Sequence, residues 1–212
     1  VVDEVIASLR PGLADGAIIV DHSTTQPSLT AARASRLASG GVRYLHCPVF
    51  IGPAAARQGK GTILVSGPRE LYDAVAPALS RMAERVEYFG ERPDVAAVYK
   101  LCGNALIIGI NGLVSDVLSI GANAGVRPED TLKVLELFNV GAVVSGRGRS
   151  MATRDYAPSF ELAMARKDVG LMLEAAGGLP LAALPGIAAR MDALIAEGHG
   201  SDDLAVIGRD AV

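Results

Sequence analysis

The feature that most constrains the fold is a change of pattern at about residue 93. Upstream of it, short apolar runs alternate with helical stretches. Downstream, Val95 to Ala124 runs on without a proline or any strand-like alternation. At 1.5 Å per residue this predicts one helix of roughly 45 Å. Asp94, behind Pro93, is its expected N-cap, and Gly125 its stop. Only helical patterns follow: Pro128 to Phe138, Phe160 to Ala176 and Leu181 to Glu197, stopped at Gly177-Gly178 and Gly198. The chain therefore reads as α/β followed by all-α, with regions 1–92 and 93–212 divided where the long helix starts.

The upstream elements read in order. Ala17 to Asp21 is a continuous apolar run ending in a carboxylate, the pattern of a strand buried on both faces. Ser28 to Leu37 reads as a helix stopped by Gly40-Gly41, and Val42 to Val49 as a strand. A Gly/Ala/Pro loop from Gly52 to Gly61 leads to a strand at Thr62 to Ser66. A Pro-initiated helix, Pro68 to Ala83, and a last short strand, Arg85 to Phe89, complete the set. Such alternation predicts an open sheet with helices on its faces.

Composition narrows the partners. The 212 residues are 50% hydrophobic, with Lys+Arg 20 against Asp+Glu 23 and a net charge of −3; mean hydropathy is +0.33. That composition gives a core-forming chain without the basic field that holds nucleic acid or an anionic membrane. Aromatic residues are 4%, with no Trp, so base-stacking platforms are poorly supplied. Two cysteines, Cys47 and Cys102, build no disulfide framework, and a reducing cytoplasm is the expected setting. Ala105 to Val126 carries one charge, Asp116, and is long enough to span a bilayer. Its Asn111, Asn123, Ser115 and Ser119, and its weak flanks, instead predict a helix buried between protein layers.

Four segments carry chemistry. Asp21-His22-Ser23-Thr24-Thr25-Gln26-Pro27 follows a strand, where open sheets bind ligands and small hydroxyl residues let a flat ring approach; it is equally the start of a helix. Cys47 through Thr62 is a loop whose amides could cradle an anion, although it matches neither the P-loop nor G-x-G-x-x-G spacing. Lys100-x-x-x-Asn104 puts both side chains on one helix face. Desolvation there would lower the ammonium pKa toward a range useful for proton transfer; a Lys that snorkels to solvent is the plainer alternative. Lys167-Asp168 lies in a helix that, by its apolar pattern, should turn one of the two away from solvent; a surface ion pair is the ordinary explanation.

Taken in order, these segments resemble the β-hydroxyacid dehydrogenase superfamily, which includes 3-hydroxyisobutyrate dehydrogenases and 6-phosphogluconate dehydrogenase. Asp21-x-Ser23-Thr24-x-x-Pro27 resembles that family's D-x-S-T-x-x-P turn, Cys47 to Thr62 its substrate loop, and Lys100-x-x-x-Asn104 its catalytic Lys and Asn. Lys167-Asp168-Val169-Gly170-Leu171 is similar to its K-D-L-G-L segment. The resemblance implies the later strands of a Rossmann-type sheet, an interdomain helix and a helical C-terminal domain that pairs into dimers or tetramers. It implies NAD or NADP as cofactor, no metal, and hydride transfer with a small hydroxy acid or semialdehyde. Lys100 would be the general acid or base and Asn104 its orienting partner. Ser23, Thr24, Lys167 and Asp168 would lie on the cofactor side, and Phe50, Ile51 and Gly52 on the substrate side.

Two departures qualify the resemblance. Phe50 and Ile51 stand where the family commonly has Ser and Gly that bind the substrate carboxylate. This predicts a less polar or differently anchored substrate. The opening Val1 to Ile6 lacks Met and reads as the middle of a helix. The expectation is an N-terminal part of the sheet of about 70 residues upstream, at 30 or more per βαβ unit, carrying the pyrophosphate cradle, and little turnover without it. Alternatives of other classes are an imine or other carbonyl reductase of the same fold, against which Lys100 counts, and a scaffold protein with a decayed site.

Overall fold

A computed structural model describes residues 1–211 and divides into two compact units, Val1–Leu106 and Ile107–Val212. The division falls inside the long helix. The first unit is α/β and the second helical, in keeping with the C-terminal part of a Rossmann-type sheet followed by an all-α region.

The first unit opens with α1 (Val2–Leu9), then β1 (Ile18–Asp21), α2 (Pro27–Ser39), β2 (Arg43–His46) and β3 (Val49–Phe50). The one-turn α3 (Pro53–Ala56), β4 (Thr62–Val65), α4 (Arg69–Met82) and β5 (Arg85–Tyr88) follow, and then the first part of α5 (Val95–Asn123). β1 and β2 pair in parallel with Asp21 opposite His46. β3 and β4 pair antiparallel, β4 and β5 parallel, and an antiparallel bridge between His46 and Ser66 joins the two sets. The expected strand over residues 42–49 is thus two strands. Pro48 interrupts the ladder because it has no N–H to give, while its carbonyl still accepts from Leu64 N at 2.9 Å.

The sheet is covered on two faces. Ile6, Leu37 and Tyr44 form a core with α1 and α2 on one face. Leu45, Cys47, Ile63, Val65, Leu71 and Leu79 form another with α4. β1 departs from the expectation of burial on both faces: each of its four residues is half-buried, and among the described residues it pairs on one edge only. β2 and β4 hold the buried positions instead.

α5 is 29 residues long, about 44 Å. Its first turn is tied down by Ser66, whose hydroxyl accepts from Ala96 N at 2.9 Å and donates to Pro93 O at 3.1 Å. Asp94 stands at the N-cap position with its carboxylate on Arg92 instead. The helix is not the buried one the sequence predicts. Leu101, Leu106, Ile107, Ile108, Ile110 and Leu113 are exposed, and only 11% of its most apolar window is buried. By length and composition it is the one helix among the described residues able to cross a membrane.

The second unit continues from α5 through α6 (Pro128–Thr131), a 3-10 stretch (Leu132–Glu136), α7 (Val140–Thr153), α8 (Leu162–Ala175), α9 (Leu184–Ala196) and a 3-10 tail (Leu204–Ala211). The expected helix at 128–138 is therefore an α turn running into 3-10. α7 has no counterpart in the sequence pattern, because Gly141, Gly146 and Gly148 lower its helix propensity. It forms with Asn139 as N-cap, Oδ1 accepting from Ala142 N at 3.0 Å. Leu162, Val169, Leu184, Met191, Leu194 and Val206 make the core of this unit. Two carboxylates bolt it together. Asp116, fully buried, accepts from the amides of Ala182, Ala183 and Leu184 at 2.6, 3.0 and 2.8 Å, capping α9 from α5. Asp203 accepts from Ser159 N, Ser159 Oγ, Phe160 N and Ala205 N and pairs with Arg147.

Candidate active site

The turn after β1 is held by the side chain that ends the strand. Asp21 Oδ1 accepts from Ser23 N at 2.9 Å and Ser23 Oγ at 2.5 Å, and Oδ2 accepts from the Tyr44 hydroxyl at 2.6 Å. Burial works to raise the Asp21 pKa, but the Ser23 and Tyr44 hydrogen bonds outweigh it and hold the carboxyl below its usual range. The Tyr44 hydroxyl is driven the other way, by burial and by Asp21. His46 Nε2–H donates to Ser23 O at 3.0 Å, and His22 Nδ1–H donates to Cys47 O at 2.7 Å. The turn is therefore fixed from β2 on two sides, with Ser23 half-buried and Thr24 exposed at its end.

Arg33, buried on α2, extends this network to Asp3 on α1, with Nε donating to Oδ1 at 2.9 Å. Sequence reasoning missed Tyr44, His46 and Arg33. Tyr44 and His46 alternate on one strand, so they share a face, and that pairing of polar-tipped residues was the available signal.

The second part of the candidate site lies where the loop after β3 meets α5. Lys100 Nζ donates to Asn104 Oδ1 at 3.1 Å and sits 4.1 Å from the centroid of the Phe50 ring. Lys100 is half-buried, and that burial lowers its pKa from the ordinary value. Phe50, Ile51 and Gly52 run from β3 into α3. The loop closes on itself at Gly61 (φ +107), where a Cβ would stand 2.8 Å from both Ile51 Cγ1 and Phe50 O. Ile51 also lines a cavity of about 520 Å³ with His22, Val49, Ile63, Arg57 and Arg81.

Lys167 and Asp168 belong to the second unit. Neither turns inward, as the sequence predicted one would. Their side chains are 59% and 41% exposed and paired at 3.2 Å, while Leu162, Ala165 and Val169 fill the inward stripe of α8. Cys47 is buried, its thiol pushed up to about 12 by that burial, and Cys102 is exposed; both are free.

A mixed sheet ending in an Asp-fixed hydroxyl turn, and a helix carrying a desolvated Lys–Asn pair, define a Rossmann-type protein with a helical second unit. Residues 1–90 match the NAD binding domain of 6-phosphogluconate dehydrogenase, and residues 95–209 match the NAD-binding family of NADP-dependent 3-hydroxyisobutyrate dehydrogenase. The chain belongs to the β-hydroxyacid dehydrogenase superfamily. It is 30% identical over 177 residues to 2-(hydroxymethyl)glutarate dehydrogenase of Eubacterium barkeri, covering 78% of this chain and 56% of that protein. It is 30% identical over 168 residues to 2-hydroxy-3-oxopropionate reductase of Escherichia coli strain K12, covering 78% and 57%. The chain thus spans less than two thirds of these relatives. An imine reductase from Myxococcus stipitatus in complex with NADP+ shares the fold, with a TM-score of 0.84 and 18% identity over 99% of this chain and 77% of that one.

Proposed function

We propose that the chain serves an NAD(P)-dependent oxidoreductase interconverting a small hydroxy compound, of the hydroxy-acid type, and its carbonyl partner. The observation that carries this reading is Lys100. Its amine is partly desolvated, hydrogen-bonded to Asn104 at 3.1 Å and placed beside the substrate loop. Burial lowers the proton affinity of an ammonium, which suits it to give a proton to a carbonyl oxygen in reduction and to take one from a hydroxyl in oxidation. Asn104 fixes the direction in which the amine points.

The residues at the end of β1 fit the nicotinamide end of such a cofactor. Ser23 and Thr24 present nothing longer than a hydroxyl, and Asp21 holds the Ser23 amide in place. A nicotinamide bound there accepts or supplies the hydride. Lys167 and Asp168 are proposed to serve a nicotinamide cofactor as well. Residues 1–92 form the cofactor-binding part and 93–212 the substrate and pairing part in this reading. The exposed Leu106, Ile108, Ile110 and Leu113 support burial of α5 against a second copy of the chain, in a dimer or tetramer in the cytoplasm, without nucleic acid.

Lys100→Met, made in the full-length protein that carries this chain, tests the reading. We expect kcat to fall at least ~100-fold with NAD(P)H binding, measured by cofactor fluorescence, unchanged. Turnover that survives the substitution would sink the assignment and favour a scaffold.

A further inference from the structure

Phe50 ends β3, and its ring packs against α5 at the one nearby residue with no side chain. A Cβ on Gly103 would collide with Phe50 Cζ and stand 2.9 Å from Cε1 and 3.2 Å from Cε2. Only glycine shares this place with the ring. Gly103 lies three residues after Lys100, so the two are neighbours on the helix surface. One ring therefore both fills the notch at Gly103 and receives the Lys100 ammonium over its face, 4.1 Å from its centroid. The loop cannot easily withdraw the ring, since Gly61 packs directly on Ile51 and on the Phe50 carbonyl.

This arrangement acts on the amine and on whatever approaches it. An aromatic face attracts a cation through its quadrupole while it excludes water from it. Lys100 is then held by two neutral partners, the ring and the Asn104 carboxamide, with no carboxylate paired to it among the described residues. On the substrate side the ring offers no hydroxyl, amide or positive charge. A carboxylate set against it would lose water without gaining a partner, whereas an apolar group gains contact.

We propose that Phe50, seated on Gly103, is the specificity-determining residue of this site. It holds the Lys100 ammonium against its ring and selects a carbonyl compound whose flank beside the reacting carbon is apolar. The inference rests on the reading of Lys100 as the proton carrier; within the small hydroxy and carbonyl compounds of that reading it favours those with an apolar flank over the hydroxy-acid type.

Gly103→Ala gives a clean test because it expels the ring without deleting it. The blocking atoms are the swinging tip of Phe50, and alanine is the better helix former, so the fold is retained. The chain has four lysines, Lys60, Lys100, Lys133 and Lys167, so 13Cε-lysine NMR resolves Lys100, assigned by loss of its signal in Lys100→Arg. We expect Gly103→Ala and Phe50→Ala each to move the Lys100 titration midpoint by about half a pH unit or more, upward where the water readmitted outweighs the lost attraction of the ring face and downward where that attraction dominates. Phe50→Tyr should keep the wild-type midpoint, and the double variant should equal Phe50→Ala alone. Unmoved midpoints in both single variants overturn the proposal. Selectivity is read as the kcat/KM ratio of phenylacetaldehyde to glyoxylate with NADH and NADPH. The wild-type chain should prefer the aldehyde, and Phe50→Ser should shift the ratio about tenfold or more toward glyoxylate. An unmoved ratio, with turnover still lost in Lys100→Met, overturns the inference and leaves the role of Lys100 standing. Turnover that survives Lys100→Met overturns both, and a full-length wild-type protein that turns over glyoxylate but not phenylacetaldehyde overturns the selectivity.

Discussion

Asp21 in the first unit, half-buried, and Asp203 in the second, buried, are carboxylates held by several donors, and each is satisfied in a different way. Asp203 takes three backbone amides, one hydroxyl and a guanidinium, so most of its partners cannot move without moving the main chain. Asp21 takes one amide and two hydroxyls, from Ser23 and Tyr44, and the network behind it is incomplete. Arg33 Nη1 and His46 Nδ1 are buried without a hydrogen-bond partner among the described residues, as is the Tyr156 hydroxyl in the second unit. The second unit uses its carboxylate as a bolt. The first uses its carboxylate to aim a turn.

Removing the bolt should have the largest effect. Asp203→Ala leaves the Arg147 guanidinium and three amides without their acceptor, and we expect a loss of about 3–5 kcal/mol in urea unfolding. The pH dependence follows from the direction of the shift. Burial opposes ionisation of Asp203, but the amides of Ala205 and Ser159, the Ser159 hydroxyl and the Phe160 amide outweigh it and hold the pKa well below its ordinary 3.8. A depressed folded-state pKa contributes stability that is fully present above the unfolded value and is lost as pH falls through the folded one. The acid limb below about pH 4 should therefore be shallower in Asp203→Ala than in wild type. An equally steep limb would assign acid unfolding to other carboxylates.

Tyr44→Phe tests the aiming network and should cost less. It removes the donor to Asp21 Oδ2 and leaves the ring packed between α1 and α2. An acceptor left short of a donor costs about 1–3 kcal/mol, and Asp21 is only half-buried, so the lower part of that range is expected. The Asp21 pKa should rise toward 3.8 as one of the bonds that lowers it disappears. The comparison predicts one more difference. NAD(P)H affinity should fall in Tyr44→Phe and stay unchanged in a folded Asp203→Asn variant, as read by cofactor fluorescence. Equal effects on affinity would erase the distinction between bolt and aiming device.

The parts of this design that are local in sequence were legible there. The long helix showed itself by the absence of proline and by Gly125, which carries φ +73 after the last turn. The Lys100–Asn104 bond follows from helical spacing alone. What was not legible depends on contacts between distant segments. Phe50 stood out as unusual in its loop, yet nothing near Gly103 says that a ring from β3 rests on it. α7 was invisible because its glycines argue against helix, and its support comes from elsewhere, with Gly208 of the tail packed on Met151. The long helix was read as buried from its apolar composition, but composition does not say whether the covering surface belongs to the same chain. For Lys167 and Asp168 the pattern predicts one in and one out; Leu162, Ala165 and Val169 supply the inward stripe and leave both charges outside.

The smallest expected effect sharpens the comparison most directly. Ser159→Ala removes one of the donors to Asp203 Oδ2, the hydroxyl at 2.7 Å. In contrast to Tyr44→Phe, the same oxygen keeps the amides of Ser159 at 3.0 Å and Phe160 at 3.1 Å. An acceptor with remaining partners loses only the net worth of one hydrogen bond, about 0.5–1.5 kcal/mol. The order Asp203→Ala, Tyr44→Phe, Ser159→Ala in urea unfolding thus tests whether backbone donors make the second unit's carboxylate insensitive to its side-chain neighbours. If Ser159→Ala proves more damaging than Tyr44→Phe, the hydroxyl and not the main chain is what holds Asp203. The two carboxylates would then be held by the same means.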